Sequence, residues 1–279
     1  MKSLMVQGTS SGAGKTTLVV ALCRIFSDAG YNVAPFKSQN MSNYVYRGNG
    51  FEISRAQAIQ AIAARCKITP DLNPILLKPR GNYYSLIYLR GKRFRKMHAT
   101  EFYNKFVNTK GINLVKGSLK TLTKDHDLII LEGAGSPAEI NLQKFDIANM
   151  KIAEHTKSPV LLITDIDRGG SFASIVGTLA LLDKKYQKLV KGFVINKFRG
   201  DLHILKPGFS KLTQITKKPI FGVIPMTKLD LPEEDSLSGK AKGLSWNKKN
   251  VDKIDREIDK LSKLVKKSLN IKAIERLFN

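Results

Sequence analysis

The sequence predicts an α/β fold with a doubly wound, mostly parallel sheet. Two observations carry that expectation. Short apolar, β-branched runs recur between helical patterns along the chain, and the first of them leads directly into a glycine-rich turn that opens a helix. In such sheets ligands sit at the carboxyl ends of the strands, so the chemistry belongs in the loops that follow them.

The elements follow in order. Met1 to Gln7 reads as the first strand, residues 16–29 as a helix closed by Gly30, and Tyr31 to Pro35 as the second strand. Residues 52–66, Glu-Ile-Ser-Arg-Ala-Gln-Ala-Ile-Gln-Ala-Ile-Ala-Ala-Arg-Cys, read as an alanine-rich helix. Asp127–Glu132, Val160–Thr164, Gly192–Ile195 and Ile220–Ile224 are further short buried strands. Near the end Val251, Ile254, Ile258, Leu261 and Val265 recur at three-to-four spacing, the stripe of an amphipathic helix, and residues 271–278 make a second short one. Such a stripe faces a protein core more often than a membrane. The chain thus divides into a domain over 1–236 and a basic helical tail over 237–279 that packs on it.

Composition narrows the function classes. With 279 residues and 42% hydrophobic content the chain can bury one large core or two modest ones. Cys23 and Cys66 are too few for a disulfide scaffold, lack metal-ligand spacing, and lie in apolar helical patterns that suit buried packing. No signal peptide precedes the first strand and no apolar run reaches the ~18 residues of a membrane span, so a cytoplasmic protein without a membrane partner is expected. The formal charge of +24 rests on scattered lysines. Neither arginine forks nor a groove-entering motif accompany it, so a nucleic-acid partner is not expected, and a polyanionic small molecule with ATP explains the sign equally well.

Residues 4–17, Leu-Met-Val-Gln-Gly-Thr-Ser-Ser-Gly-Ala-Gly-Lys-Thr-Thr, have the strand, glycine-rich turn and helix of a phosphate cradle. Gly8, Gly12 and Gly14, with Ala13 between the last two, let the backbone bend tightly and aim its N–H groups inward, Lys15 can reach the β- and γ-phosphates, and the Thr16 hydroxyl, followed by Thr17, can ligate Mg²⁺. The spacing is a variant. Thr9 stands where the first glycine of the strict pattern falls, and Gly8 lies one residue earlier.

Each later strand tip adds chemistry. The second ends in Pro-Phe-Lys-Ser-Gln-Asn, which puts Lys37 beside the phosphate loop as a second cation. Glu132-Gly133-Ala134-Gly135 sets a carboxylate at the next tip, with glycines that allow close approach, and makes Glu132 the candidate second Mg²⁺ anchor. Asp165-Ile166-Asp167-Arg168-Gly169-Gly170 carries two acids and an arginine, more than helix capping requires. Asn196 opens Asn-Lys-Phe-Arg-Gly, where its amide can pair with a purine edge.

These runs, together with Gln39-Asn40-Met41-Ser42, Ser136-Pro137-Ala138-Glu139-Ile140-Asn141-Leu142 and Leu231-Pro232-Glu233-Glu234-Asp235-Ser236, resemble the synthetase domain of the cobyric acid synthase family over about residues 1–236. That family is a dethiobiotin synthetase-like branch of the P-loop NTPases with the same one-residue offset in its loop. The resemblance implies ATP-dependent amidation of peripheral carboxylates of cobyrinic acid a,c-diamide, a corrinoid, through acyl phosphates. It further implies that Thr16, Glu52 and Glu132 hold Mg²⁺, that Lys15 and Lys37 grip the transferring phosphoryl group, and that Asn196 contacts adenine. Asp165 and Asp167 would complete the catalytic set, with Gln39, Asn40, Ser136, Glu139, Asn141 and Arg168 on the substrate side. Glu52 also suits the start of a helix with no metal involved.

The sequence departs from the family in places. The segment Asn43-Tyr44-Val45-Tyr46 is shorter than usual, and Arg80-Gly81-Asn82-Tyr83-Tyr84-Ser85 leads into the basic run Arg90-Gly91-Lys92-Arg93-Phe94-Arg95-Lys96, which reads equally as a solvated hairpin or as a contact for substrate carboxylates. Family members continue into a glutamine amidotransferase domain with a cysteine nucleophile, for which the residues after Ser236 leave no room. Neither Cys23 nor Cys66 sits on a strand-to-helix elbow with a downstream histidine. Ammonia would therefore come from solution or from a separate glutaminase chain, and a homodimer is the other protein partner this reading admits. Two rival readings share the loop: a nucleotide switch of the partitioning-ATPase type, disfavoured because Thr9, Ser10 and Ser11 stand where its signature lysine belongs, and a homologue that binds ATP without amidating corrinoids.

Overall fold

The computed structural model describes residues 2–232 and 244–279, so the Glu233–Ser236 part of the acidic motif lies outside the described residues. The chain begins with strand β1 (Lys2–Gly8), helix α1 (Lys15–Asp28) and strand β2 (Val33–Phe36). Three short strands, β3 (Gln39–Met41), β4 (Val45–Gly48) and β5 (Phe51–Ser54), precede helix α2 (Arg55–Ala64). Then come β6 (Ile75–Pro79), β7 (Tyr84–Leu89), β8 (Lys92–His98), the single turn α3 (Ala99–Glu101), a π-helical stretch over Phe102–Gly111 and α4 (Ile112–Asp125). The remainder alternates: β9 (Leu128–Glu132), α5 (Met150–Thr156), β10 (Val160–Asp165), α6 (Ser171–Leu181), α7 (Lys184–Leu189), β11 (Val190–Phe198), α8 (Leu202–Thr216) and β12 (Ile220–Pro225). Helices α9 (Lys248–Ser268) and α10 (Ile271–Glu275) close the chain.

The main sheet has six strands in the order β12-β11-β10-β1-β9-β2, every pairing parallel. The expected doubly wound α/β architecture is therefore present. Strand β1 lies between β9 and β10, so the chain departs from it to one side and later returns to the other, which opens a crevice at its carboxyl end. Alternate residues feed two cores. Leu4, Val6, Ile130, Leu161 and Ile163 pack with α1 and α9 on one face, and Met5, Ile129, Leu131 and Leu162 pack with Phe102, Phe106, Val115 and Leu119 on the other. Burying each such side chain stabilises the fold by about 1.5–3 kcal/mol.

The tail docks as its stripe requires. Ile254, Ile258, Leu261 and Val265 are buried against α1, and the guanidinium of Arg24, 1% exposed, pairs with Asp255 and Asp259 of α9. The same group donates to the carbonyls of Ala63 (2.9 Å) and Ile62 (3.2 Å), so one arginine ties α1, α2 and α9 together.

Several boundaries differ from the sequence expectation. The second strand covers Val33–Phe36 rather than residues 31–35, because Tyr31 and Asn32 lie in the connection that follows the turn at residues 29–30. The helix expected over 52–66 is α2, Arg55–Ala64. Residues Phe51–Ser54 instead pair antiparallel with Val45–Gly48 across a two-residue Asn49-Gly50 turn in which Gly50 adopts φ +77°, and the Ser54 hydroxyl accepts from Ala56 N at 3.3 Å to cap the helix. Arg65, at φ +54°, ends it. Glu52 consequently sits in a strand and does not open a helix. The basic run forms the β7–β8 hairpin, with β8 as the edge of a second sheet ordered β3-β6-β7-β8.

Candidate nucleotide site

The loop between β1 and α1 is shaped by Gly12 at φ +73° and Gly14 at φ +103°, left-handed values that favour glycine. Gly14 is required on a second ground. A Cβ there would lie 2.0 Å from Asn196 Nδ2, which donates to the Ala13 carbonyl at 2.9 Å. Lys15 curls back over the loop, its ammonium donating to the carbonyls of Ser10 (2.9 Å) and Gly135 (2.8 Å).

Glu132, at the tip of β9 and 1% exposed, is the centre of a polar cluster. Its Oε1 accepts from the Thr16 hydroxyl (2.6 Å) and from Lys37 Nζ (2.7 Å). Its Oε2 accepts from Gln60 Nε2 (2.5 Å), with Gln57 Nε2 at 3.5 Å. Gln57 in turn accepts from Asn40 Nδ2 (3.1 Å), which also donates to Ser54 Oγ (2.7 Å). Buried carboxylates persist when donors surround them, and here an ammonium, a hydroxyl and amides do so.

Across β1, Asp165 ends β10 and accepts from Lys197 Nζ at 2.7 Å, while Lys197 also donates to the Gly12 carbonyl at 2.8 Å. Lys197 adopts φ +60°, a strained backbone for a non-glycine residue and one often found beside functional groups. Arg168 Nε lies 3.7 Å from Asp165 Oδ2, and Asp167 pairs with Arg199 at 3.0 Å on the surface.

Two cavities adjoin the loop. The larger, about 480 Å³, is walled by the phosphate loop through Thr17, by Lys37, Asn40 and Asn196, and by apolar residues of β12 and α9. The second, about 320 Å³, is lined by Gln39, Tyr103, Ser136, Glu139 and Tyr186 among others, and shares Ser11, Met41, Ala134 and Gly135 with the first. Burial, together with the charge of Glu139, pushes the Tyr103 phenol up from its ordinary value.

The structure thus gathers Gly12, Gly14, Lys15, Thr16, Thr17, Lys37, Asn40 and Asn196 around one cavity, with Glu132 bonded to Thr16 and Lys37 and Ala13 bonded to Asn196, and Gln39, Ser136 and Glu139 around the other. Five expected residues stand apart from these two groups: Asp165 and Arg168, which lie 3.7 Å from each other beside Lys197, and three more. Asn141 is exposed and lines neither cavity. Asp167 faces Arg199. Glu52 pairs with Lys78 and with Arg47 (2.9 Å), not with Glu132. Burial opposes its charge, but hydrogen bonds from those two cations hold its carboxyl below the ordinary value. Gln57, Gln60 and Lys197 were missed from sequence. The signal for the glutamines was present, since two amides three residues apart in an otherwise apolar helix must find buried partners.

The donor set suits Mg²⁺. Among the described residues no cluster of three or more His, Cys, Asp or Glu gathers to hold a metal ion, and the Thr16 hydroxyl and the Glu132 carboxylate are oxygen donors of the kind Mg²⁺ takes in company with phosphates. No helix among the described residues is long and apolar enough to cross a membrane.

Residues 4–237 match the family described as the CobQ/CobB/MinD/ParA nucleotide binding domain. The chain is 54% identical over 241 residues to the "Probable cobyric acid synthase" of Thermococcus onnurineus, an alignment covering 85% of this chain and 49% of that protein. It is 52% identical over 233 residues to the cobyric acid synthase of Caldanaerobacter subterraneus subsp. tengcongensis, covering 83% and 46%. A solved structure of Cyanthece apo McdA is 14% identical with a TM-score of 0.48 over 96% of this chain and 98% of that one. The chain spans about half the length of the curated relatives it matches. It belongs to the CobQ/CobB/MinD/ParA nucleotide-binding domain family, and within that family it resembles the cobyric acid synthases.

Proposed function

We propose that the chain amidates peripheral carboxylates of a cobyrinic acid a,c-diamide, spending one ATP on each. The observation that carries this reading is the polar junction at the carboxyl ends of β1, β2 and β9, where Lys15, Lys37, Thr16 and Glu132 converge beside a second, partly aromatic cavity. A carboxylate is a poor acyl donor. One of its oxygens attacks the γ-phosphorus, ADP departs, and the resulting acyl phosphate is open to ammonia, which displaces inorganic phosphate and leaves the amide. Attack of one anion on another needs its charge neutralised in place.

In this reading Lys15 and Lys37 supply that neutralisation, and Thr16 with Glu132 hold Mg²⁺, which when bound draws charge from the phosphate oxygens. Lys197, held by Asp165, braces the phosphate loop through the Gly12 carbonyl. Gln39, Ser136 and Glu139 face the corrinoid side, where Tyr103 and Tyr186 offer flat apolar surface to a macrocycle. The test is the purified chain with ATP, Mg²⁺, ammonium and cobyrinic acid a,c-diamide, read by mass spectrometry. Stepwise loss of one mass unit per amide formed, with stoichiometric phosphate release, is expected. ATP hydrolysis without any corrinoid product would refute the reading.

A further inference from the structure

Asparagine is among the residues that best cap a helix, its side-chain oxygen accepting from a backbone N–H of the first turn. Asn149 holds the N-cap position of α5 and makes no such bond. That turn is served by Asp146 instead, whose carboxylate accepts from the backbone N–H groups of Ala148 (2.9 Å), Asn149 (2.6 Å) and Lys151 (3.0 Å). The Asn149 amide is directed at another segment altogether. Its Nδ2 donates to the Ala134 carbonyl at 2.7 Å and its Oδ1 accepts from Ala134 N at 3.2 Å. One side chain, 9% exposed, thus satisfies both backbone groups of a single residue, as the partner in an antiparallel strand would. Gly133 makes the room for it, since a Cβ there would collide with Asn149 Oδ1. The Asn149 backbone, at φ −123° and ψ −110°, lies outside the ordinary helical and extended regions, so both its conformation and its lost cap favour the contact over the helix.

The segment so held, residues 133–135, leaves the tip of β9 directly after Glu132. Gly133 N donates to the Val6 carbonyl at 2.9 Å, and the Gly135 carbonyl receives Lys15 Nζ at 2.8 Å. Ala134 and Gly135 line both cavities. We propose that Asn149 is a positioning residue for phosphoryl transfer: by clamping Ala134 at both of its backbone groups it fixes the wall common to the two cavities, and with it the spacing between the Lys15 ammonium and the acceptor carboxylate. The inference rests on the amidation reading above. Asn149 acts through Ala134, not on the reacting atoms. In-line transfer tolerates little error, since a misplacement of about 1 Å costs about 10²-fold in rate.

The test uses two variants of the full chain. Asn149→Ala removes both bonds, whereas Asn149→Asp keeps an acceptor for Ala134 N and, while ionised, sets an anion against the Ala134 carbonyl oxygen. At neutral pH both should lower the amidation kcat by about tenfold or more, with KM for ATP within about twofold of the wild type, because alignment is lost and not the grip on the nucleotide. Protonation turns the introduced carboxyl into a donor for that carbonyl. The kcat of Asn149→Asp relative to the wild type should therefore rise as pH falls from about 8 to about 6, while that of Asn149→Ala stays level. Hydrogen exchange supplies a readout that needs no corrinoid: the Ala134 amide should exchange about tenfold faster in Asn149→Ala and stay closer to the wild type in Asn149→Asp. Equal losses in the two variants at every pH, an unchanged kcat in Asn149→Ala, or unchanged exchange at Ala134 would each overturn the inference. A wild-type chain that turns over ATP yet forms no amide would overturn the amidation reading instead, and the exchange rates would still decide whether Asn149 holds the wall.

Discussion

Replacing Arg24 with leucine removes a buried charged side chain that joins α1, α2 and α9. Its guanidinium is 1% exposed and donates to the carbonyls of Ala63 and Ile62 as well as to Asp255 and Asp259. The two aspartates are 46% and 45% exposed, so water takes over their solvation when the arginine is lost, and each pair contributes less than about 1 kcal/mol. The larger cost falls on the Ala63 carbonyl, which loses a charged donor, whereas the Ile62 carbonyl keeps its bond from Arg65 N at 3.1 Å. An unsatisfied buried acceptor costs about 1–3 kcal/mol. The sum is about 3 kcal/mol, at the lower end for breaking a buried ion pair, and corresponds to a melting temperature lower by about 6–12 °C. Urea unfolding at low and high salt measures it. Salt should change the difference little, because the carbonyl part is not screened, and a double-mutant cycle with Asp259→Asn should give a coupling below about 1 kcal/mol. A loss under 1 kcal/mol in Arg24→Leu, or one that vanishes in salt, would refute this division of the energy.

Other consequences concern the site. Lys15→Ala should lower ATP turnover by about 10²-fold or more with the circular dichroism spectrum unchanged, since it removes a cation from a loop otherwise built of backbone donors. Glu132→Gln should shift the Mg²⁺ midpoint upward at saturating ATP, because shape is kept while the anionic oxygen beside Thr16 is lost. Gln60→Leu deprives Glu132 Oε2 of its closest donor and should move the same midpoint in a milder way, with Gln60→Asn retaining less than the wild type because its amide falls short. The 279-residue chain should use ammonium and fail with glutamine. Cys23 is buried with its thiol pushed well up, and burial raises Cys66 to about 12, so both stay protonated through neutral pH and thiolate appears only as pH rises toward those values. Glutamine-dependent amidation at pH 7, abolished by a thiol-blocking reagent, would contradict this.

Much of the molecule was legible in its sequence because local rules governed it. The phosphate loop announces itself by glycines between an apolar strand and a helix, and the strand tips at Glu132, Asp165 and Asn196 follow from short apolar runs that end in polar residues. The stripe of Val251 to Val265 implies an apolar face on α9, and Ile254, Ile258, Leu261 and Val265 of that stripe are buried. What the sequence could not decide was which distant groups would meet. Glu52 carries the same carboxylate as Glu132, yet a hairpin turn at Asn49-Gly50 delivers it to Lys78 and Arg47, while Gln57 and Gln60 reach Glu132 from the buried helix that follows. Helix periodicity specified that Leu261 and its neighbours would be covered, but only the crossing of α9 over α1, set by Arg24 and by the missing side chain of Gly222, decided that Leu264 would border the nucleotide cavity. Local propensity and patterning act over a few residues. Partnership between side chains far apart in the chain depends on how whole elements pack, and that is settled by the burial of the complete core.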